Sequence, residues 1–137
     1  MILEDSLYKK ITELTDKGND AFENDLDLAL KYYEEALALV PDPKTDWEAS
    51  TWLYTAIGDA YYFKKEYQSA IDSLNKAMMC PTGIGNAFIC LRLGECFFEL
   101  SNYTQSKDFL MQAYMLEGKD IFEYEESKYI KSIEELF

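Results

Sequence analysis

The chain has 137 residues, 48% of them hydrophobic, with 26 acids against 13 bases, no histidine and a formal net charge of −13. That length fits one domain, and the apolar content is ample for its core. The charge disfavours phosphate backbones and anionic membranes as partners and favours a basic protein. The missing histidine removes the commonest general base and metal ligand.

No run of about 18 apolar residues occurs, so no membrane-spanning helix is expected. MILEDSLYKK lacks the basic stretch and apolar run of a secretory leader, which points to the cytoplasm. Cys80, Cys90 and Cys96 are odd in number and show no CxxC spacing. They read as reduced, buried thiols rather than disulfides or metal ligands. Paired carboxylates are plentiful, but on helices rich in Glu and Asp they read as solvated surface. No catalytic residue, no metal and no cofactor is therefore expected.

In chain order, the first helix is expected over about Leu3–Asn24, with Ile11, Leu14, Ala21 and Phe22 facing inward. The second spans about Leu26–Leu39 and is stopped by Pro41 and Pro43, which lack the amide donor a helix interior needs. Thr45 and Glu48 have the spacing of a capping box, so the third helix is placed at about Asp46–Lys64. The fourth follows at about Tyr67–Met79. Pro81-Thr82-Gly83-Ile84-Gly85 reads as a turn and lacks the spacing and the Lys-Ser/Thr of a phosphate loop. The fifth helix is about Asn86–Leu100 and the sixth about Tyr103–Leu116, with Gly118 as its C-cap. In the tail, Tyr129, Ile130, Ile133, Leu136 and Phe137 form a helical apolar stripe. A capping helix over about Glu125–Leu136 is expected, with Phe122 anchoring the approach to it.

The chain is organised around WLYTAIGDAYYFKKEYQSAIDSLNKA, Trp52–Ala77. Gly58 sits mid-helix, where glycine costs about 1 kcal/mol relative to alanine, and close approach of a second helix is the usual reason. Tyr61 follows it, and Ala70, Leu74 and Ala77 repeat along the next helix. The pattern recurs as Gly18 with Ala29, Tyr33 and Ala36, and as Gly94 with Phe97, Ser106, Leu110 and Ala113. The glycines stand 40 and 36 residues apart, the extra residues falling in PDPKTD and PTGIG. This resembles the tetratricopeptide repeat, a helix–turn–helix unit of about 34 residues. The resemblance implies an all-α fold of three hairpins, at 3–41, 46–81 and 86–118, with a cap at 120–137. They would form one right-handed superhelical array over 1–137.

In that family the first helix of each hairpin lines a concave, ligand-binding face. Transferred by the glycines, the resemblance places Asn19, Trp52, Asp59, Tyr62, Phe88, Arg92, Glu95, Phe98 and Glu99 there. Thr12, Thr15, Phe22, Glu23, Thr55, Phe63 and Leu91 occupy further positions of the same set. The composition of this set is aromatic with carboxylates, the kind of surface that binding hot spots use. Asp59, Glu95 and Glu99 would meet basic residues of a partner, and Trp52, Tyr62, Phe88 and Phe98 would supply apolar anchors. Some family members clamp a chaperone peptide's terminal carboxylate with Lys, Asn, Asn, Lys and Arg. Only Asn19 and Arg92 match, with Thr15, Ala56 and Phe88 in the other places, so no such clamp is expected.

AYMLEGKDIFEYEESKYI and GNAFICLRLGECFFEL also resemble the end and third repeat of small bacterial tetratricopeptide proteins that act as immunity proteins to polymorphic toxins. That resemblance implies an acidic, monomeric protein that binds and blocks a basic toxin domain, with no nucleic-acid or membrane partner. The alternative is an adaptor or assembly scaffold that holds a peptide or helix of a housekeeping partner in the same groove.

Overall fold

The computed structural model describes residues 3–137. The leader reading at MILEDSLYKK begins on Met1 and Ile2, which lie outside the described residues. The elements are α1 (Asp5–Ala21), α2 (Leu26–Leu39), α3 (Glu48–Phe63), α4 (Tyr67–Met78), α5 (Ala87–Glu99), α6 (Tyr103–Glu117) and α7 (Ser127–Lys131). Short 3-10 turns fill Lys44–Asp46, Gly118–Phe122 and Glu134–Leu136. Among the described residues there is no strand. The chain divides into two compact units, residues 1–84 and 85–137.

The first unit holds the hairpins α1/α2 and α3/α4, with α2 packed on α3. Its core gathers Ile11, Leu30, Tyr33, Leu53 and Ile57. The second unit holds the hairpin α5/α6 and the tail, around Leu91, Leu110, Phe122, Tyr129 and Ile133.

The recurring glycines do what their mid-helix placement requires. A Cβ on Gly18 would lie 2.5 Å from Cε1 of Tyr33, and one on Gly58 or Gly94 would lie 2.7 Å from Leu74 or Leu110. Each glycine thus lets the facing helix seat its large residue against bare backbone. The flanking pairs Ala29/Ala36, Ala70/Ala77 and Ser106/Ala113 are all buried beside those residues.

Helix starts are set by short polar side chains. Asp25 accepts from the Leu28 amide at 3.0 Å, Asn86 from Ile89 at 3.1 Å and Asn102 from Gln105 at 3.2 Å. Pro41 forces Val40 into an extended conformation (φ −71°, ψ 128°), which ends α2.

Two boundaries differ from the sequence reading. The capping box at Thr45 does not form: Thr45 sits in the 3-10 turn, and α3 starts at Glu48 behind Trp47, which makes no side-chain cap bond. Burial of the Trp47 indole in the core of the first unit fixes that later start. The cap is also not one helix over Glu125–Leu136. It is the five-residue α7 followed by a 3-10 turn. The Ser132 hydroxyl donates to the Tyr129 carbonyl at 2.6 Å, competing with the helix ladder. The next amide, of Ile133, then bonds three residues back, to Ile130 at 3.1 Å. Phe122 is buried, as its anchoring role requires, and so are Tyr129 and Ile133.

Candidate partner-binding site

In the first unit, α1 and α3 present the positions that follow their glycines. Asn19 and Asp59 both line a cavity of about 280 Å³, together with Phe22, Glu23, Tyr33 and Ala56. Tyr33 reaches it from α2, because its ring crosses α1 where Gly18 has no side chain. Its hydroxyl donates to Oδ1 of Asn19 at 2.6 Å. That bond turns the Asn19 amide so that Nδ2 is its remaining donor. Burial, and secondarily the charge of Asp59, push the Tyr33 phenol up to about 12, so it stays a donor at neutral pH. The site therefore offers an oriented amide, two carboxylates (Glu23, Asp59) and the Phe22 ring.

Two of the three threonines in this set are spent locally, while the Thr12 hydroxyl is buried without a hydrogen-bond partner. Thr15 donates to the Ile11 carbonyl at 2.7 Å and Thr55 to that of Thr51 at 2.6 Å, within their own helices. Trp52 is half-buried and packs against the core of the first unit. Tyr62 belongs to an aromatic row at the end of α3. It meets Phe63 edge-on at 5.1 Å and Tyr67 of α4 at 5.9 Å, and Phe63 in turn meets Phe22 at 5.7 Å.

The corresponding side chains of α5 have other partners. Arg92 is 4% exposed and Glu95 is 0% exposed. One guanidinium nitrogen, Nη1 of Arg92, donates to Glu95 Oε1 and to Glu125 Oε1, both at 2.6 Å. The guanidinium also lies 4.9 Å from the centre of the Phe88 ring. Phe98 is held edge-on between Tyr103 (5.2 Å) and Tyr129 (5.3 Å). Glu99 accepts from the Tyr129 hydroxyl and pairs with Lys128, each at 2.9 Å. This corrects the expectation that Glu95 and Glu99 wait for a partner's cations. Glu95 is enclosed, and Glu99 already meets Lys128 of the tail. Arg92 is likewise no exposed clamp residue.

Burial drives the Glu95 carboxyl up to about 9. The Arg92 charge opposes this, and the hydrogen bond and charge of Glu125 add to it. One cation between two acids balances one negative charge, so the enclosed acid keeps its proton at neutral pH. The sequence reading has Tyr129 in the apolar stripe of a cap that starts at Glu125, but not the polar bonds these two make to α5. Glu125 and Tyr129 lie 33 and 30 residues from their partners, and no local periodicity links them. Tyr33 was visible as the large residue facing Gly18, though not as the residue that orients Asn19.

Residues 21–78 match the tetratricopeptide-repeat family, and residues 89–120 match it again. The chain carries tetratricopeptide repeats. Solved repeat domains share the fold. The TPR domain of Arabidopsis OM64 superposes with a TM-score of 0.74 at 20% identity, over 95% of this chain and 96% of that one. The first TPR of Spaghetti (RPAP3), bound to the HSP90 peptide SRMEEVD, gives 0.71 at 20% identity over 93% of each chain. The N-terminal domain of stress-induced protein-1 from C. elegans gives 0.69 at 17% identity, over 97% of this chain and 98% of that one. No curated protein matches. None of the helices, among the described residues, is long and apolar enough to cross a membrane.

Proposed function

We propose that this tetratricopeptide-repeat chain is an adaptor-type interaction module that holds a segment of a partner protein against α1 and α3 of its first unit. The observation that carries the reading is the cavity between Asn19 and Asp59, with an amide whose direction Tyr33 sets. An oriented donor suits a partner's backbone carbonyl, and Glu23 and Asp59 suit a basic side chain. Similar repeat domains have been solved with acidic chaperone peptides. Here the cation of α5 that could meet such a peptide is buried, hydrogen-bonded to Glu95 and neutralised by Glu125, and the chain is strongly acidic. The segment bound is therefore a basic one.

The immunity reading would use the same acidic face against a basic toxin domain. Its support is the net charge and the resemblance of the tail. The peptide-bound relatives favour the adaptor.

The test is selection from a random twelve-residue peptide library against the full chain, with Asn19→Ala and Asp59→Lys as comparison targets. Enrichment of lysine- and arginine-bearing peptides, weakened about tenfold or more by either substitution, supports the reading. Acidic peptides, or peptides held equally by both variants, would exclude this cavity.

A further inference from the structure

Where α1 turns into α2, a second and larger cleft of about 690 Å³ opens within the first unit. It lies at the helix ends, beyond the face formed by Asn19 and Asp59. Its floor is the Phe22/Phe63 pair, and its rim includes Glu23, Asp25, Asp27 and Lys64. Phe63 keeps 51% of its surface exposed although it is a large apolar side chain at a helix end. The rim is not electrically neutral. Lys64 is committed to Asp27 at 2.6 Å and to Glu66 at 3.5 Å, and the Asp25 carboxylate caps α2 while remaining exposed. Three acids thus surround one lysine that is already paired. Phe22 and Glu23 line this cleft and the Asn19/Asp59 cavity alike, so the two spaces share a wall.

We propose that this cleft is the specificity pocket for an apolar anchor flanked by a basic residue in the partner segment. The proposal rests on the partner-binding reading above and names the motif it selects. A leucine, methionine or isoleucine would cover the exposed face of Phe63 and the edge of Phe22. That burial supplies a driving force that an acidic surface alone lacks. A lysine or arginine one or two positions away would meet Glu23 and Asp25. In an extended segment, side chains two apart project to the same side at a spacing of about 7 Å, which allows both contacts at once. An acidic residue at that place would face the rim with like charge and be rejected.

The experiment repeats the twelve-residue library selection with the full chain and with Phe63→Ala, Glu23→Lys and Asp59→Lys, each checked for native helix content by circular dichroism. Expected is an enriched pair of one aliphatic and one basic residue within two positions. Phe63→Ala should weaken those peptides about tenfold and erase the aliphatic preference, and Glu23→Lys should erase the basic preference at the neighbouring position. Peptides without such a pair would overturn the proposal. Peptides lost on Asp59→Lys but unaffected by Phe63→Ala and Glu23→Lys would overturn it while leaving the cavity reading intact. Peptides unaffected by all three substitutions, or no enrichment at all, would remove both.

Discussion

The residue after each repeat glycine is polar in all three hairpins: Asn19, Asp59 and Glu95. In the first unit these side chains border open space. In the second unit the equivalent side chain is enclosed, and the positions around it are engaged by Glu125, Lys128 and Tyr129 of the tail. The register is the same and the surroundings are not. A repeat motif assigns a position on a helix, whereas access to that position depends on what the rest of the chain lays over it. The charged residues of α5 hold the tail to that helix.

Stability measurements separate the two settings. Arg92→Ala should cost about 3 kcal/mol, because it leaves the partly buried Glu125 without its cation and the enclosed Glu95 without its hydrogen-bond donor. Glu23→Lys, on the exposed rim of the first unit, should change stability by no more than about 0.5 kcal/mol. Urea unfolding of both variants provides the comparison. A loss under about 1 kcal/mol for Arg92→Ala would mean that Arg92 is an accessible recognition residue after all.

The next largest effect is one of pH. The native Glu95 carboxyl, raised to about 9 from an ordinary value of 4.5, binds a proton that the unfolded chain has already released at neutral pH. Its contribution is therefore fully present below about pH 4.5 and declines as pH rises toward 9. The slope is at most about 1.4 kcal/mol per pH unit. Glu95→Gln, which keeps a neutral group of the same shape, should flatten the decline between pH 6 and 8.5. Thermal melts across that range test it, and an unchanged slope would place the titrating group elsewhere.

Much of this fold is legible in the sequence. The end of α2 follows from Pro41, and the glycine-to-knob contacts follow from the spacing of small and large residues. These are local signals, set within a few residues by proline sterics and helical period. The start of α3 was misplaced because burial of Trp47 outweighed a capping box that the sequence allowed. The cap was read as one helix because its apolar stripe is helical, while Ser132 shortens the ladder from within. The motif places Asn19 and Asp59 directly after their glycines, and both line one cavity. Glu95 and Arg92 were misjudged because their pairing with Glu125 spans about thirty residues of chain and leaves no periodic trace.

Smaller effects test the glycines themselves. Gly18→Ala gains about 1 kcal/mol of helix propensity. It also drives a methyl into the Tyr33 ring, and overpacking of that kind costs about 1–3 kcal/mol. The net loss should be about 1 kcal/mol. It should come with a shift in Tyr33 absorbance or fluorescence, because the ring must move off Asn19. Gly94→Ala meets Leu110 at 2.7 Å on its side chain and 3.0 Å on its backbone nitrogen, so it should lose at least as much without touching the Asn19/Asp59 cavity. Equal effects on peptide binding from both substitutions would dissolve the distinction between the units.

The smallest effect concerns a device that the two units share. α3 and α5 are each followed, two residues past their last, by a residue with positive φ, Lys65 at 63° and Ser101 at 62°. The following amides fold back in the same way. Glu66 bonds Tyr61 and Lys65 bonds Tyr62, while Asn102 bonds Phe97 and Ser101 bonds Phe98, all at 2.9 Å. Glycine adopts this left-handed conformation without the strain that a Cβ adds, and is the usual residue there. Its greater freedom in the unfolded chain offsets part of the gain. Lys65→Gly and Ser101→Gly should each stabilise by about 0.5–1 kcal/mol, read as a rise in the urea midpoint at constant slope. The first hairpin turns through Asn24 with the Asp25 amide on the Ala21 carbonyl at 2.8 Å and no positive φ, so Asn24→Gly should bring no such gain. A gain there equal to the other two would mean that the left-handed strain is not what the substitutions relieve.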